Sequence, residues 1–148
     1  MLRQFLVGVF ASVCNIAIHA LVMVTVIKAA RFADELATRY QTLRLIAVMS
    51  TAVTVLMMAH LAEVLVWSLI YVIFGVAPEG SDIVYFAFVN YATLGYGDVT
   101  PVVRWHLLGP MTAMNGVLLF GWSTAVIFEV LRITLLPNGE GGKETRPS

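Results

Sequence analysis

The chain has 148 residues, of which 59% are hydrophobic and only 12% are charged, and its mean hydropathy is +0.87. A typical soluble domain is about 45–50% apolar and about 25% charged, so this composition indicates a membrane protein and excludes a disordered chain. Nine basic and nine acidic residues give a net charge of zero, which offers no basic surface to nucleic acid. The single cysteine, Cys14, cannot form a disulfide within the chain.

Three stretches nearly free of charged residues are long enough to cross a membrane as helices. They begin at residues 4, 45 and 105, and the second contains one charged residue, Glu63. A spanning helix needs about 20 predominantly apolar residues. We therefore predict an all-α membrane protein with an additional N-terminal span at 4–27, an outer helix at 45–78 and an inner helix at 105–136. A signal peptide is the alternative for 4–27, although its apolar run is longer than usual.

The positions of the basic residues predict the orientation of the chain. Basic residues concentrate between the first two spans and after the third, at Lys28, Arg31, Arg39, Arg44, Arg132, Lys143 and Arg146. Because cytoplasmic loops carry an excess of Lys and Arg, the N-terminus is expected outside and the C-terminus in the cytoplasm of a cell membrane. The glycine- and proline-rich tail at 137–148 is expected to be disordered.

A fourth uncharged stretch, residues 83–97, is too short to span and predicts a re-entrant segment. Ser81 or Asp82 is suited to cap a short helix over 82–92, about 15 Å long, which reaches half-way across the membrane. Non-helical backbone at that depth is tolerated only where it is buried or lines a water-filled path. Glycines that alternate with larger residues over 93–97 allow successive carbonyls to face one side, where they can replace the water shell of a cation.

These residues carry a resemblance to a known family. The matching residues are Thr93, Leu94, Gly95, Tyr96, Gly97 and Asp98, and they resemble the selectivity-filter signature of potassium channels, with Leu94 where valine is common. The order of outer helix, pore helix, filter and inner helix is similar to the pore domain of small prokaryotic two-helix channels. The resemblance implies a potassium-selective channel and no enzyme, with potassium bound at residues 93–96.

The same resemblance implies how such a channel is assembled and supported. Four filters surround one axis in a homotetramer among membrane lipids, and no cofactor or small-molecule substrate is expected beyond the permeant ion. Tyr85 stands 13 positions before Asp98, where the family often has an aromatic partner for the filter aspartate. Glu79 and Asp82 are expected at the outer mouth, where carboxylates raise the local cation concentration.

The inner helix and the membrane interior hold further candidates. Gly116 and Gly121 are alternatives for the inner-helix hinge, because Val117 stands at the expected position. Asn115 is expected either to line the cavity or to bond the pore helix.

His60 and Glu63 share a face of the second span, and His19 lies at similar depth in the first. This intramembrane polar cluster has three interpretations: a hydrogen-bonded clamp, a pH sensor or a metal site. The metal interpretation gives one alternative function, a small membrane-embedded metal-binding protein. A weakly selective cation channel is the other alternative, within the channel class.

Overall fold

The computed structural model of the chain describes residues 1–35 and 41–136. Over these ranges every regular element is a helix, as predicted: α1 (Leu2–Glu35), α2 (Gln41–Phe74), α3 (Ile83–Tyr91), a short 3-10 turn (Val103–Trp105) and α4 (Leu108–Leu135). Helices α1, α2 and the Val103–Leu135 segment are long and apolar enough to cross a membrane. The predicted tail at 137–148, with Lys143 and Arg146, lies outside the described residues, as does Arg39.

The observed helices begin and end at different residues from the apolar stretches, for local reasons. Helix α1 continues past residue 27 because Lys, Arg and Ala, which follow, are good helix formers. Helix α2 ends at Phe74 because Gly75 adopts a left-handed φ of 58°. The amide of Val76 then donates to Tyr71 O at 3.0 Å, which satisfies a carbonyl of the last turn.

Both ends of the re-entrant segment and the N-terminus lie at the same end of the bundle. The amide of Leu107 donates to Gln4 Oε1 at 3.0 Å, and the guanidinium of Arg3 lies 5.2 Å from the ring centroid of Trp105. The amide of Val102 donates to the carbonyl of Val76 at 2.9 Å. The N-terminal ends of α1 and α4 therefore lie beside the C-terminal end of α2, on the face from which α3 enters.

The interior consists of two apolar clusters with a polar layer between them. The cluster near the re-entrant segment contains Trp67, Tyr71 and Phe86, whereas the other contains Leu56 and Val130. Between them in sequence on α1, α2 and α4 lie the buried polar residues Asn15, His19, Glu63, Asn115 and Ser123. Since a buried polar group must find a partner, this layer fixes how the helices face one another.

Helix α1 is attached to the other two spans through a buried asparagine pair. Asn15 Nδ2 donates to Asn115 Oδ1 at 3.1 Å and to the carbonyl of Glu63 at 3.3 Å. Trp67 Nε1 donates to the same Asn115 oxygen at 3.0 Å. One amide oxygen on α4 thus accepts from α1 and α2, and it connects the additional span to the outer and inner helices.

Replacement of this acceptor is expected to destabilise the protein. Asn115→Ala leaves the buried Trp67 indole and one N–H of Asn15 without an acceptor, and each unsatisfied buried group costs about 1–3 kcal/mol. Thermal unfolding of the detergent-solubilised protein, followed by tryptophan fluorescence, measures the loss. The control is Thr54→Ala, whose exposed hydroxyl bonds only the carbonyl of Ser50. Equal stability of the two variants would contradict the assignment.

Candidate functional site

Both ends of the short helix α3 are capped, and its C-terminal end lies in the interior. Asp82 is the N-cap residue, and its Oδ1 accepts the amide of Tyr85 at 3.0 Å. A carboxylate there stabilises the positive end of the helix. At the other end, the amide of Ala92 donates to the carbonyl of Phe88 at 2.9 Å. The nine residues span about 14 Å, so the negative end of the helix points to the middle of the bundle.

The residues that follow α3 alternate between positive and negative φ. Thr93, Gly95 and Gly97 have φ values of 60°, 59° and 79°, whereas Leu94 and Tyr96 keep negative φ. Within the described residues, Thr93 is the only residue other than glycine with positive φ. Holding a β-branched residue there costs on the order of 1–3 kcal/mol, and such strain is typical of sites that clamp a ligand. An alternation of this kind allows successive carbonyls to face one side of a segment.

This segment is uncovered by the rest of its own chain. Leu94 and Tyr96 are 51% and 66% exposed, and residues 93–98 are all exposed. A Cβ built on Gly95 or Gly97 meets no described atom within 4 Å. The conformation of these residues is therefore set by the backbone and by α3, and one face of the segment remains available for contact.

A single side-chain hydrogen bond connects the end of this segment to α3. Tyr85 Oη donates to Asp98 Oδ2 at 2.8 Å, across the 13 positions that separate them. The hydrogen bond to this carboxylate raises the pKa of Tyr85 above its usual value of 10.0. The contact is consequently present below pH 10 and is lost only as the pH rises through the raised pKa.

Neutralising the acceptor is expected to lower the pKa of Tyr85. In Asp98→Asn an uncharged amide accepts the bond, so the tyrosine ionises at lower pH, closer to its usual value. The measurement is a pH titration of tyrosinate absorbance, taken as the difference between Asp98→Asn and the double variant that also carries Tyr85→Phe. The wild type minus Tyr85→Phe gives the reference curve. Identical curves would mean that Asp98 does not hold Tyr85.

The predicted mouth residues lie at the face where α3 begins. Glu79 and Asp82 are exposed there, and Asp82 also caps α3. Arg104 lies close by, since its Nη2 would stand 3.2 Å from a Cβ on Gly75. This end of the molecule therefore presents carboxylates next to the exposed segment, with the guanidinium of Arg104 nearby.

The two hinge candidates on α4 differ sharply in their surroundings. A Cβ on Gly116 would lie 2.1 Å from the carbonyl oxygen of Tyr91, whereas one on Gly121 meets no described atom within 4 Å. Helix α4 continues through both positions. Gly116 therefore allows close contact between α4 and the end of α3. Asn115 bonds Trp67 and Asn15, instead of the pore helix or a cavity, because the buried indole and amide donors face it.

The structure brings together the predicted intramembrane polar cluster, His19, His60 and Glu63. His19 Nδ1 lies 2.7 Å from Glu63 Oε1, and His60 Nδ1 lies 3.0 Å from Glu63 Oε2. His19 and Glu63 are fully buried, and the His60 side chain is 15% exposed. The buried carboxylate of Glu63 on α2 therefore contacts one histidine from α1 and one from α2.

Two further residues complete this cluster, and the sequence reasoning did not identify them. Tyr91 Oη donates to Glu63 Oε2 and lies 2.9 Å from His60 Nδ1. Ser123 Oγ lies 2.9 Å from His60 Nε2 and 3.2 Å from His19 Nε2. A tyrosine and a serine in apolar helices give no distinctive signal, so only their contacts reveal them. Asn15 was also missed, although it lies four residues before His19 on the same helix face.

Comparison with protein-family models identifies the family. A model described as ion channel matches residues 59–133, which is half of the chain and includes α3, the 93–98 segment and most of α4. No curated protein and no solved structure matches the chain. The resemblance to an ion-channel pore domain is thereby confirmed. The chain is a membrane protein that belongs to this ion channel family, with α1 as a span beyond the matched region.

Proposed function

We propose that this ion channel is selective for potassium and conducts it passively along residues 93–97. The positive φ of Thr93, Gly95 and Gly97, which alternates with the negative φ of the two residues between them, carries the proposal. A row of carbonyls that face one axis replaces the water shell of a potassium ion, which is how such a filter binds it. The Thr93 hydroxyl adds one more oxygen below the carbonyls.

The position of the row within the fold also favours a cation. The C-terminal end of α3 carries a partial negative charge and lies directly before Thr93. The exposed carboxylates of Glu79 and Asp82 raise the cation concentration at the mouth. An anion is disfavoured at every one of these points.

One chain supplies only one row of carbonyls, so conduction requires copies of the chain around an axis. We propose a homotetramer, in which four copies of residues 93–97 form rings of oxygens. The exposed faces of Leu94 and Tyr96 fit this assembly, because a neighbouring chain is free to cover them. The alternative assembly, a conducting monomer, leaves the cation without oxygens on its other sides.

The orientation follows from the distribution of basic residues. We propose a cell membrane location with the N-terminus and the residue 79–104 segment outside and the C-terminus in the cytoplasm. The contact of Gln4 with Leu107 supports the first part, because it holds the N-terminus on the face from which α3 enters.

Flux measurements on the purified chain in liposomes test the selectivity. We expect uptake driven by a potassium gradient, little uptake with sodium, and inhibition by barium, a divalent ion of similar size that the carbonyls bind more strongly. Empty liposomes and liposomes with heat-denatured protein are the controls. Equal permeability to sodium and potassium would replace the proposal with a weakly selective cation channel. An absence of flux would reject both.

A further inference from the structure

The intramembrane polar cluster contains none of the residues 93–97 of the proposed conduction path and has a chemistry of its own. One ligand atom from each of His19, His60 and Glu63 lies within 4.8 Å of the other two. These residues come from α1 and α2, and their contacts with Tyr91 and Ser123 add α3 and α4. A group in the centre of this cluster would therefore touch every helix of the fold, directly or through one side chain.

We propose that His19, His60 and Glu63 bind one transition-metal ion of the Zn²⁺ class, distinct from the permeant ion. Two imidazole nitrogens and one carboxylate oxygen are a donor set that zinc commonly takes, with a fourth position left to water. Imidazole ligands suit zinc, copper, iron and nickel, whereas potassium, calcium and magnesium prefer oxygen.

In both histidines the second ring nitrogen, Nε2, has the hydrogen-bond partner that a metal-ligating histidine usually has. His60 Nε2 and His19 Nε2 lie 2.9 and 3.2 Å from the same oxygen, Ser123 Oγ. A hydroxyl oxygen has two lone pairs, so it accepts an N–H from each ring. Both Nδ1 lone pairs then point toward Glu63, where the ion binds. A partner on the second ring nitrogen is the usual way in which a protein fixes the tautomer of a histidine ligand.

When both imidazoles are neutral, the ring of contacts in the cluster has one proton fewer than it has contacts. Four contacts run around the ring from Glu63 through His19, Ser123 and His60, back to Glu63. Two neutral imidazoles and one hydroxyl supply three protons for these four contacts. A bound divalent ion replaces the two contacts between Nδ1 and the carboxylate, and the two contacts to Ser123 Oγ then each have an N–H donor.

The surroundings allow an ion to reach the cluster and to be held there. His60 lines a groove of about 480 Å³ between α2, α3 and α4. Tyr91 donates to Glu63 Oε2, which keeps that carboxylate oriented and leaves Oε1 beside His19. Zinc bonds of about 2.0–2.1 Å require the two contacts between Nδ1 and the carboxylate, now 2.7 and 3.0 Å long, to lengthen by about half an ångström. The negative end of α3 lies next to the site and offsets the charge of the ion.

Metal titration of the purified chain tests this proposal without reference to flux. We expect one Zn²⁺ per chain by elemental analysis, and at least a tenfold loss of affinity in His19→Gln and in His60→Gln. The matched control is His106→Gln, which removes an exposed histidine and leaves the affinity unchanged. Co²⁺ added to the wild type is expected to give the visible bands of a four-coordinate ion, and this measurement needs no variant.

Three results would overturn the proposal. Zinc that is retained by both cluster variants and lost in His106→Gln would place the ion on the surface. A six-coordinate Co²⁺ spectrum in the wild type would exclude the buried donor set, even if the variants fail to fold. Wild-type protein that binds no stoichiometric metal would reject the metal site and leave the cluster as a set of hydrogen bonds.

Discussion

Gly95→Ala is expected to reduce potassium flux by at least about a hundredfold while the chain still folds and inserts into the membrane. Gly95 adopts a φ of 59°, and an L-residue with a Cβ pays about 1–2 kcal/mol in that region. In the proposed tetramer four copies carry the strain around one axis, so it sums to about 4–8 kcal/mol. Relief of that strain requires a backbone rotation, which turns a carbonyl away from the ion. Liposome flux under a potassium gradient gives the measurement.

The chain supplies a matched control for this variant. Gly80 also has positive φ, at 81°, and a Cβ there likewise meets no described atom within 4 Å. Gly80→Ala introduces similar backbone strain in the turn before α3, outside the carbonyl row. We expect it to conduct at close to the wild-type rate. Selective potassium current in Gly95→Ala, or equal loss in the two variants, would remove residues 93–97 from the conduction path.

The half-span helix was predictable because its signals are local in sequence. An uncharged stretch too short to cross, a capping aspartate and alternating glycines all lie within residues 82–97. The structure identifies Asp82 as the cap, where the sequence left Ser81 as an alternative. The positive φ of Thr93 was not foreseen, because β-branched residues disfavour it and nothing local compensates.

The intramembrane polar cluster was predictable only in part, and the reason is also physical. An ionisable residue in a membrane span is costly, so His19, His60 and Glu63 stand out from the sequence. Their partners do not, since Ser123 and Tyr91 are tolerated in apolar helices whether or not they have partners. Which tyrosine meets Glu63 depends on how α3 packs, and that long-range contact leaves no trace in the spacing of residues.

Contacts between helices likewise decided the role of Asn115. Its distance after the glycine segment suggested either a cavity position or a bond to the pore helix, and that argument runs along a single helix. In the structure its oxygen accepts from Trp67 and Asn15, on two other helices. The rotation of α4 about its own axis selects between these roles, and the rotation follows from packing of the whole bundle.

The second large predicted effect comes from the close packing of Gly116 on α4 against the end of α3. Gly116→Ala is expected to destabilise the packing of α4 against α3, because its Cβ would stand 2.1 Å from the carbonyl oxygen of Tyr91. The obstacle is backbone, so no side-chain rotation relieves it, and α4 must move away from the end of α3. Overpacking of this kind costs typically about 1–3 kcal/mol, and the short distance places this variant at or above the top of that range. The gain in helix propensity of about 1 kcal/mol offsets only a part.

Gly121→Ala on the same helix separates the effect of packing from that of helix propensity. A Cβ at position 121 meets no atom of the described chain within 4 Å, so the substitution adds propensity without a clash. Thermal unfolding in detergent is expected to show a lower midpoint for Gly116→Ala and an unchanged or higher midpoint for Gly121→Ala. Because Tyr91 ends α3 directly before Ala92 and Thr93, the destabilised variant should also lose potassium flux. A Gly116→Ala protein as stable as the wild type would show that α4 does not pack on the pore helix at this residue.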